Sequence, residues 1–263
     1  MMRISSPRCT ICGSENTSRY DDDVTRCSGC DAIFRDTPSN TTSQFLGNSG
    51  RRENWLQVKF WDLMARPCVE YLKKTTPMNF GNVLDVGTYF GHFVKMMNRE
   101  GCSTRGIEPD RCKIAQAVTD RISQGYFDHT FQTDEVYDLI CFNEMVYYIQ
   151  DGIRALSRAR EMLADGGMMF VTTTNPSSSM VKDKSVKGIG RGVEYINCLM
   201  SKQNFDSLEG FRMKNCMCFR SDMLIDVKYG RKYMFPLYLA GLKKIITPNP
   251  DGNKMFVLLE KTG

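Results

Sequence analysis

No run of about 18 uninterrupted apolar residues occurs anywhere in the 263-residue chain, which excludes a transmembrane helix. The opening MMRISSPRCTICG also lacks the apolar core of a secretory signal, so the sequence predicts a cytoplasmic protein with no membrane partner. Without a secretory route, the eleven cysteines are expected as free thiols or metal ligands, not as a disulfide framework. Neither sign of charge dominates: 35 Lys and Arg against 30 Asp and Glu leave a formal net charge of +5. A hydrophobic share of 41% is ordinary for a globular protein, and the length suits one α/β domain with a small appendage.

The appendage is legible first. Cys9-Thr-Ile-Cys12 and Cys27-Ser-Gly-Cys30 form two Cys-x-x-Cys knuckles joined by a short segment that can fold as a hairpin. This spacing aims four thiolates at one tetrahedral Zn2+; with all four positions filled, the metal is expected to be structural and to do no chemistry. So short a ribbon buries little apolar surface, so metal binding should supply most of its folding free energy. After Phe34 the composition turns to Ser, Thr, Asn, Pro and Gly, which reads as a linker. The predicted organisation is therefore a zinc ribbon over 1–36, a linker over 37–50 and a main domain over 51–263.

In the main domain, NVLDVGTYFGHFVKMMNREGCSTRGIEPD, residues 82–110, reads as strand, tight glycine turn, amphipathic helix and second strand. Gly87 and Gly91 tolerate the backbone reversal from strand to helix. The middle glycine of a dinucleotide site is missing, for Tyr89 stands there, and Asp85 sets a carboxylate beside the loop. Both features disfavour a pyrophosphate and suit a ligand carrying a cation or amine. Glu108, at the end of the second strand, stands where an acid can accept both hydroxyls of a ribose.

LDVGTYFG followed by GIEPD resembles the first two motifs of class I S-adenosylmethionine-dependent methyltransferases. The apolar run YDLICF, the following Asn143-Glu144-Met145-Val146-Tyr147-Tyr148, and DGIRALSRAREMLADGGMMFVTTTN extend the likeness over residues 82–175. The resemblance implies a Rossmann-like α/β fold with a seven-stranded sheet behind the ribbon. It implies that S-adenosylmethionine is held by Asp85, Gly87, Thr88, Tyr89 and Gly91 in the turn, by Glu108 and Pro109, by Asp128 at the adenine, and by Asn143. Asp128 is expected to close a short third strand, Gly125–Asp128. A hydroxyl acceptor needs a general base: Glu144 is the first candidate, His129 the second, with Tyr147 and Tyr148 orienting the reactants. His92 is expected to pack or cap. Trp55 and Trp61 are expected in the core of a helix over residues 51–74 that Pro67 kinks or splits.

The polar segment 175–195 reads as a loop over the cleft. A helix over 221–228 and a final hairpin, 242–247 with 254–260, should complete the sheet. From Asn175 onward, 15 Lys and Arg face 8 Asp and Glu, which suits a phosphorylated small-molecule substrate. The ribbon followed by a GIEP-type domain also resembles the front of sugar C-methyltransferases, but this chain has no room for their further C-terminal domain. The expectation is O- or N-methylation of a sugar, nucleotide-sugar or natural product. RNA methylation with the ribbon as reader is the alternative, weakened by Asp21, Asp22 and Asp23. A non-catalytic binding protein of the same fold is a third, for which Tyr89 speaks.

Overall fold

The computed structural model describes residues 7–37, 53–182, 196–221 and 246–263. The ribbon contributes β1 (Thr17–Asp21), β2 (Val24–Cys27) and β3 (Ile33–Arg35), an antiparallel meander. The long helix α1 (Trp55–Thr75) follows, then β4 (Val83–Val86), α2 (His92–Arg99), β5 (Thr104–Glu108), α3 (Arg111–Ile114) and β6 (Ile122–Gln124). Next come β7 (Tyr137–Asn143), a 3-10 turn (Val146–Tyr148), α4 (Gly152–Met162), β8 (Leu163–Thr174) and α5 (Ser179–Lys182). The chain continues through β9 (Cys198–Leu199), α6 (Lys202–Asp206), β10 (Phe211–Ser221), β11 (Ile246–Pro248) and β12 (Lys254–Lys261).

The main sheet runs β11-β10-β12-β8-β7-β4-β5-β6. Seven of its strands make the expected sheet, parallel from β8 to β6, with β12 and β10 antiparallel at the far side. The short β11 is an eighth strand on the edge of β10. β7 is central, and Leu139, Ile140, Cys141 and Phe142 are all buried, as an apolar run without alternation requires when helices cover both faces. One face packs Val83, Leu139 and Phe170 against Val69 and Leu72 of α1 and Phe93 and Met97 of α2. The other packs Leu84, Ile140 and Met169 against Ala155, Leu156 and Ala159 of α4, and this core continues into Tyr20, Val24 and Ile33 of the ribbon. Burying a side chain of this size contributes about 1.5–3 kcal/mol.

Several expectations need correction. The third strand is Ile122–Gln124, three residues before the predicted one, because β5 pairs with it only up to Glu108↔Gln124 and the chain then turns away at Gly125. Asp110 caps the single-turn helix α3 by accepting from Cys112 N–H at 2.8 Å. The antiparallel neighbours of the last strand are β10 and β8; β11, which holds the described end of the predicted 242–247 strand, pairs with β10 on its other side, and 242–245 lie outside the described residues. α1 runs through Pro67 without interruption, and Trp55 is 71% exposed, so it is not a core residue. The predicted linker lies outside the described residues except for residue 37, as do the predicted helix beyond Ser221 and most of the predicted loop over the cleft. No described helix is long and apolar enough to cross a membrane.

Candidate active site

The turn between β4 and α2 is built on three left-handed residues, Gly87 (φ 68°), Tyr89 (φ 58°) and Gly91 (φ 76°). For Tyr89 that conformation costs about 1–2 kcal/mol, which the surroundings offset: its ring packs against Trp61 at 4.6 Å and Phe90 at 4.4 Å, with Lys113 Nζ 4.8 Å from its centre. A side chain at Gly87 would press on Met145, and a Cβ at Gly91 would stand 2.5 Å from Ile122. Gly106 is as tightly set, since a Cβ there would lie 2.5 Å from the Thr88 methyl. Thr88 is buried in the turn, and Pro109 continues directly from Glu108 at the end of β5.

Glu108 is buried at the tip of β5, where its Oε2 accepts from Tyr89 N–H (2.9 Å) and its Oε1 from Asp110 N–H (3.0 Å). The acid therefore ties the glycine turn to the second strand, and each oxygen keeps lone-pair capacity for a further donor. Burial pushes its pKa up to about 7, against the pull of the two backbone N–H groups. On β4, Asp85 is also buried and accepts from Asn143 Nδ2 of β7 at 2.8 Å. Burial raises its pKa to about 7 as well, with the Asn143 bond opposing. The buried Asn143 Oδ1 has no partner among the described residues. Two buried acids with raised pKa values and an unpartnered amide oxygen, gathered at the C-terminal ends of β4, β5 and β7, mark where an open α/β sheet binds its ligand.

Glu144, directly after β7, is a further left-handed residue (φ 56°). Its N–H donates to Thr172 O at 3.0 Å, its Oε2 accepts from Tyr147 OH at 2.9 Å, and the same oxygen pairs with Lys254 Nζ. Lys254 is buried at the start of β12 and also donates to Thr174 Oγ1 at 3.0 Å. Burial drives the Tyr147 phenol well above its ordinary pKa, with the Glu144 charge adding to the effect. Tyr148 lies beside it, ring centres 4.4 Å apart and ring planes tilted by 57°. No local pattern marks Lys254, because its partner is 110 residues distant and the five residues that follow it in the strand are apolar.

Asp128 and His129 fall in the connection after β6, where Asp128 Oδ1 accepts from Thr130 N–H (2.7 Å) and Oγ1 (2.6 Å), closing a local turn. His129 is half-buried and no hydrogen bond joins it to Glu144. His92, at the head of α2, is buried with Nδ1 3.6 Å from Asp62, and burial lowers its pKa.

In the ribbon, the thiols of Cys9, Cys12, Cys27 and Cys30 lie within 4.8 Å of one another, with Cys9–Cys30 at 3.7 Å and Cys12–Cys27 at 3.6 Å. Sulfurs on a tetrahedral zinc stand about 3.8 Å apart, so the donor set and its spacing fit that ion.

A methyltransferase-domain family matches residues 59–216. A ubiquinone biosynthesis O-methyltransferase from Xylella fastidiosa is 25% identical over 143 residues, 51% of this chain and 56% of that protein. A counterpart from Aeromonas salmonicida is 24% identical over 133 residues, 47% of this chain and 54% of its own length. The matches thus span about half the length of these curated relatives. Among solved structures, a possible histamine N-methyltransferase from Thermotoga maritima superposes with a TM-score of 0.56 at 17% identity, over 78% of this chain and 95% of that one. The N-methyltransferase NodS of Bradyrhizobium japonicum, in complex with S-adenosyl-L-homocysteine, gives 0.53 at 14% identity, over 86% and 100%. At these identities the structures speak for the fold.

Proposed function

As the chain belongs to the methyltransferase-domain family, we propose that it methylates an oxygen or nitrogen of a small polar or anionic molecule, with S-adenosylmethionine as donor. The observation that carries the reading is the buried Glu108 at the tip of β5, fastened to the Tyr89 and Asp110 N–H groups and able to accept two more hydroxyl donors. Asp85 and the unpartnered Asn143 Oδ1 add acceptors suited to the cationic amino end of the same molecule. When bound, that cofactor supplies an electrophilic methyl group on a sulfonium. Gly87, Thr88, Gly91 and Pro109 shape the backbone that would receive it, and the Tyr89 ring, pinned by Trp61, closes one side. Asp128 lies on the neighbouring connection, in reach of the adenine end in this reading.

Glu144 is the group we assign to receive the acceptor's proton. Its Oε2 is engaged by Tyr147 and Lys254, while Oε1 accepts no hydrogen bond among the described residues. The Lys254 ammonium pairs with this carboxylate and fixes it in place. The basic C-terminal portion supports an acceptor bearing phosphate. An RNA acceptor is disfavoured by the exposed Asp21, Asp22 and Asp23 at the tip of the ribbon hairpin. The four ribbon cysteines hold a structural Zn2+ in this reading, on the strength of their spacing.

Calorimetric titration with S-adenosylmethionine and S-adenosylhomocysteine tests the donor. Saturable binding that weakens by about 1–3 kcal/mol in Glu108→Ala is expected, and absence of binding sinks the proposal. Labelled methyl transfer into nucleotide-sugar pools and into total RNA then separates the acceptor classes. Incorporation into RNA that vanishes when residues 1–36 are deleted would overturn the small-molecule assignment.

A further inference from the structure

The ribbon does not hang from the methyltransferase domain by its linker alone. β3 pairs antiparallel with β9, Ile33 opposite Leu199 and Phe34 opposite Cys198, so a strand from the main domain completes the ribbon's sheet. One step along, Arg35 N–H donates to Asn197 O at 2.9 Å, and the buried Arg35 side chain donates Nε to Ile196 O at 3.2 Å while pairing with Asp23. The Cys30 carbonyl accepts from the buried Ser201 Oγ at 2.7 Å. Tyr20 OH donates to Val181 O at 2.6 Å.

Asn197 faces both ways. While its carbonyl is held by the ribbon, its N–H donates to Tyr147 O (2.8 Å) and its Nδ2 to Tyr148 O (2.9 Å). Those two residues form the 3-10 turn whose phenol holds Glu144. We propose that Asn197 is a positioning residue, clamped by Arg35, through which the four-cysteine ribbon sets the Tyr147–Tyr148 turn and hence the placement of Glu144. The ribbon is then a wall of the acceptor side and not a separate recognition module. What the turn acts upon rests on the methyl-transfer reading, whereas the mechanical link does not.

Hydrogen exchange and 13Cζ-tyrosine NMR on the full zinc-loaded chain test the link, comparing wild type, Asn197→Ala and Arg35→Met. In both variants we expect residues 146–149 to exchange at least about tenfold faster and the Tyr147 resonance to shift. Residues 139–142 should stay protected and zinc content unchanged. A loss of packing without repositioning would leave the Tyr147 resonance in place, and unchanged exchange at 146–149 would overturn the proposal. Should the variants fail to fold, extracting zinc from the wild type gives the same reading: loss of protection must pass from the ribbon into 146–149 and spare 139–142. Loss confined to the ribbon refutes the link. S-adenosylhomocysteine protection of residues 85–91, measured in the wild type, reports on the methyl-transfer reading by itself, so either idea can fail alone.

Discussion

Glu108 and Asp85 both have pKa values raised to about 7 by burial, and that sets the direction of two pH effects. A carboxyl whose folded pKa lies above its unfolded value stabilises fully below the unfolded pKa, and the contribution is lost as pH rises through the folded one. The ligand-free protein should therefore lose melting temperature between about pH 4.5 and 7, a slope that Asp85→Asn flattens. A ligand donating hydrogen bonds to these acids favours their ionised forms. S-adenosylhomocysteine should accordingly bind tighter as pH rises from 6 to 8, with proton release visible as a buffer-dependent calorimetric enthalpy. A flat affinity profile would mean the acids do not face the ligand. Lys254 belongs to the same scale: Lys254→Met leaves Glu144 without its cation and should cost about 1–3 kcal/mol in denaturant unfolding. Adding Glu144→Gln should return part of that, since the unpaired charge is gone.

At the scale of elements, the glycine turn and the strand beside it act as one unit. No motif points to Gly106, yet its missing Cβ makes room for Thr88. Gly106→Ala should push Thr88 and the turn outward, lowering S-adenosylhomocysteine affinity by about tenfold or more while the melting temperature falls by only a few degrees. Equal losses in both would show that the turn has no separate part in binding. The turn and its helix were legible in residues 82–99 because the signals are local: an apolar run, two glycines, and a 3.6-residue period. The third strand was misplaced because ISQ has one apolar residue among its three, while GYFD looks apolar; pairing with β5 decided in favour of the former. β10 lies in FRMKNCMCFRS, whose half-exposed pattern has no clean period, and its ladders with β12 and β11 make it a strand.

For the molecule as a whole, the ribbon and the main domain share a core and a sheet. Stripping metal with a chelator should abolish the ribbon's protection in hydrogen exchange while the parallel sheet keeps its far-ultraviolet circular dichroism. A sheet that melts with the ribbon would show that the two fold as one cooperative unit. The sequence by itself determined the fold family, the glycine turn, the buried acid at the end of the second strand and the four-thiol cluster. Each of these is written in residues close together in the chain, where steric freedom, periodicity and ligand spacing act over a few positions. Tertiary structure alone decided that Lys254 pairs with Glu144, that Arg35 grips the segment 196–197, and that Asn197 carries the ribbon's hold to Tyr147. Those contacts join residues about 50 to 160 positions apart, and no local propensity encodes them; they arise when packing of the sheet excludes water and an unpaired buried polar group becomes costly.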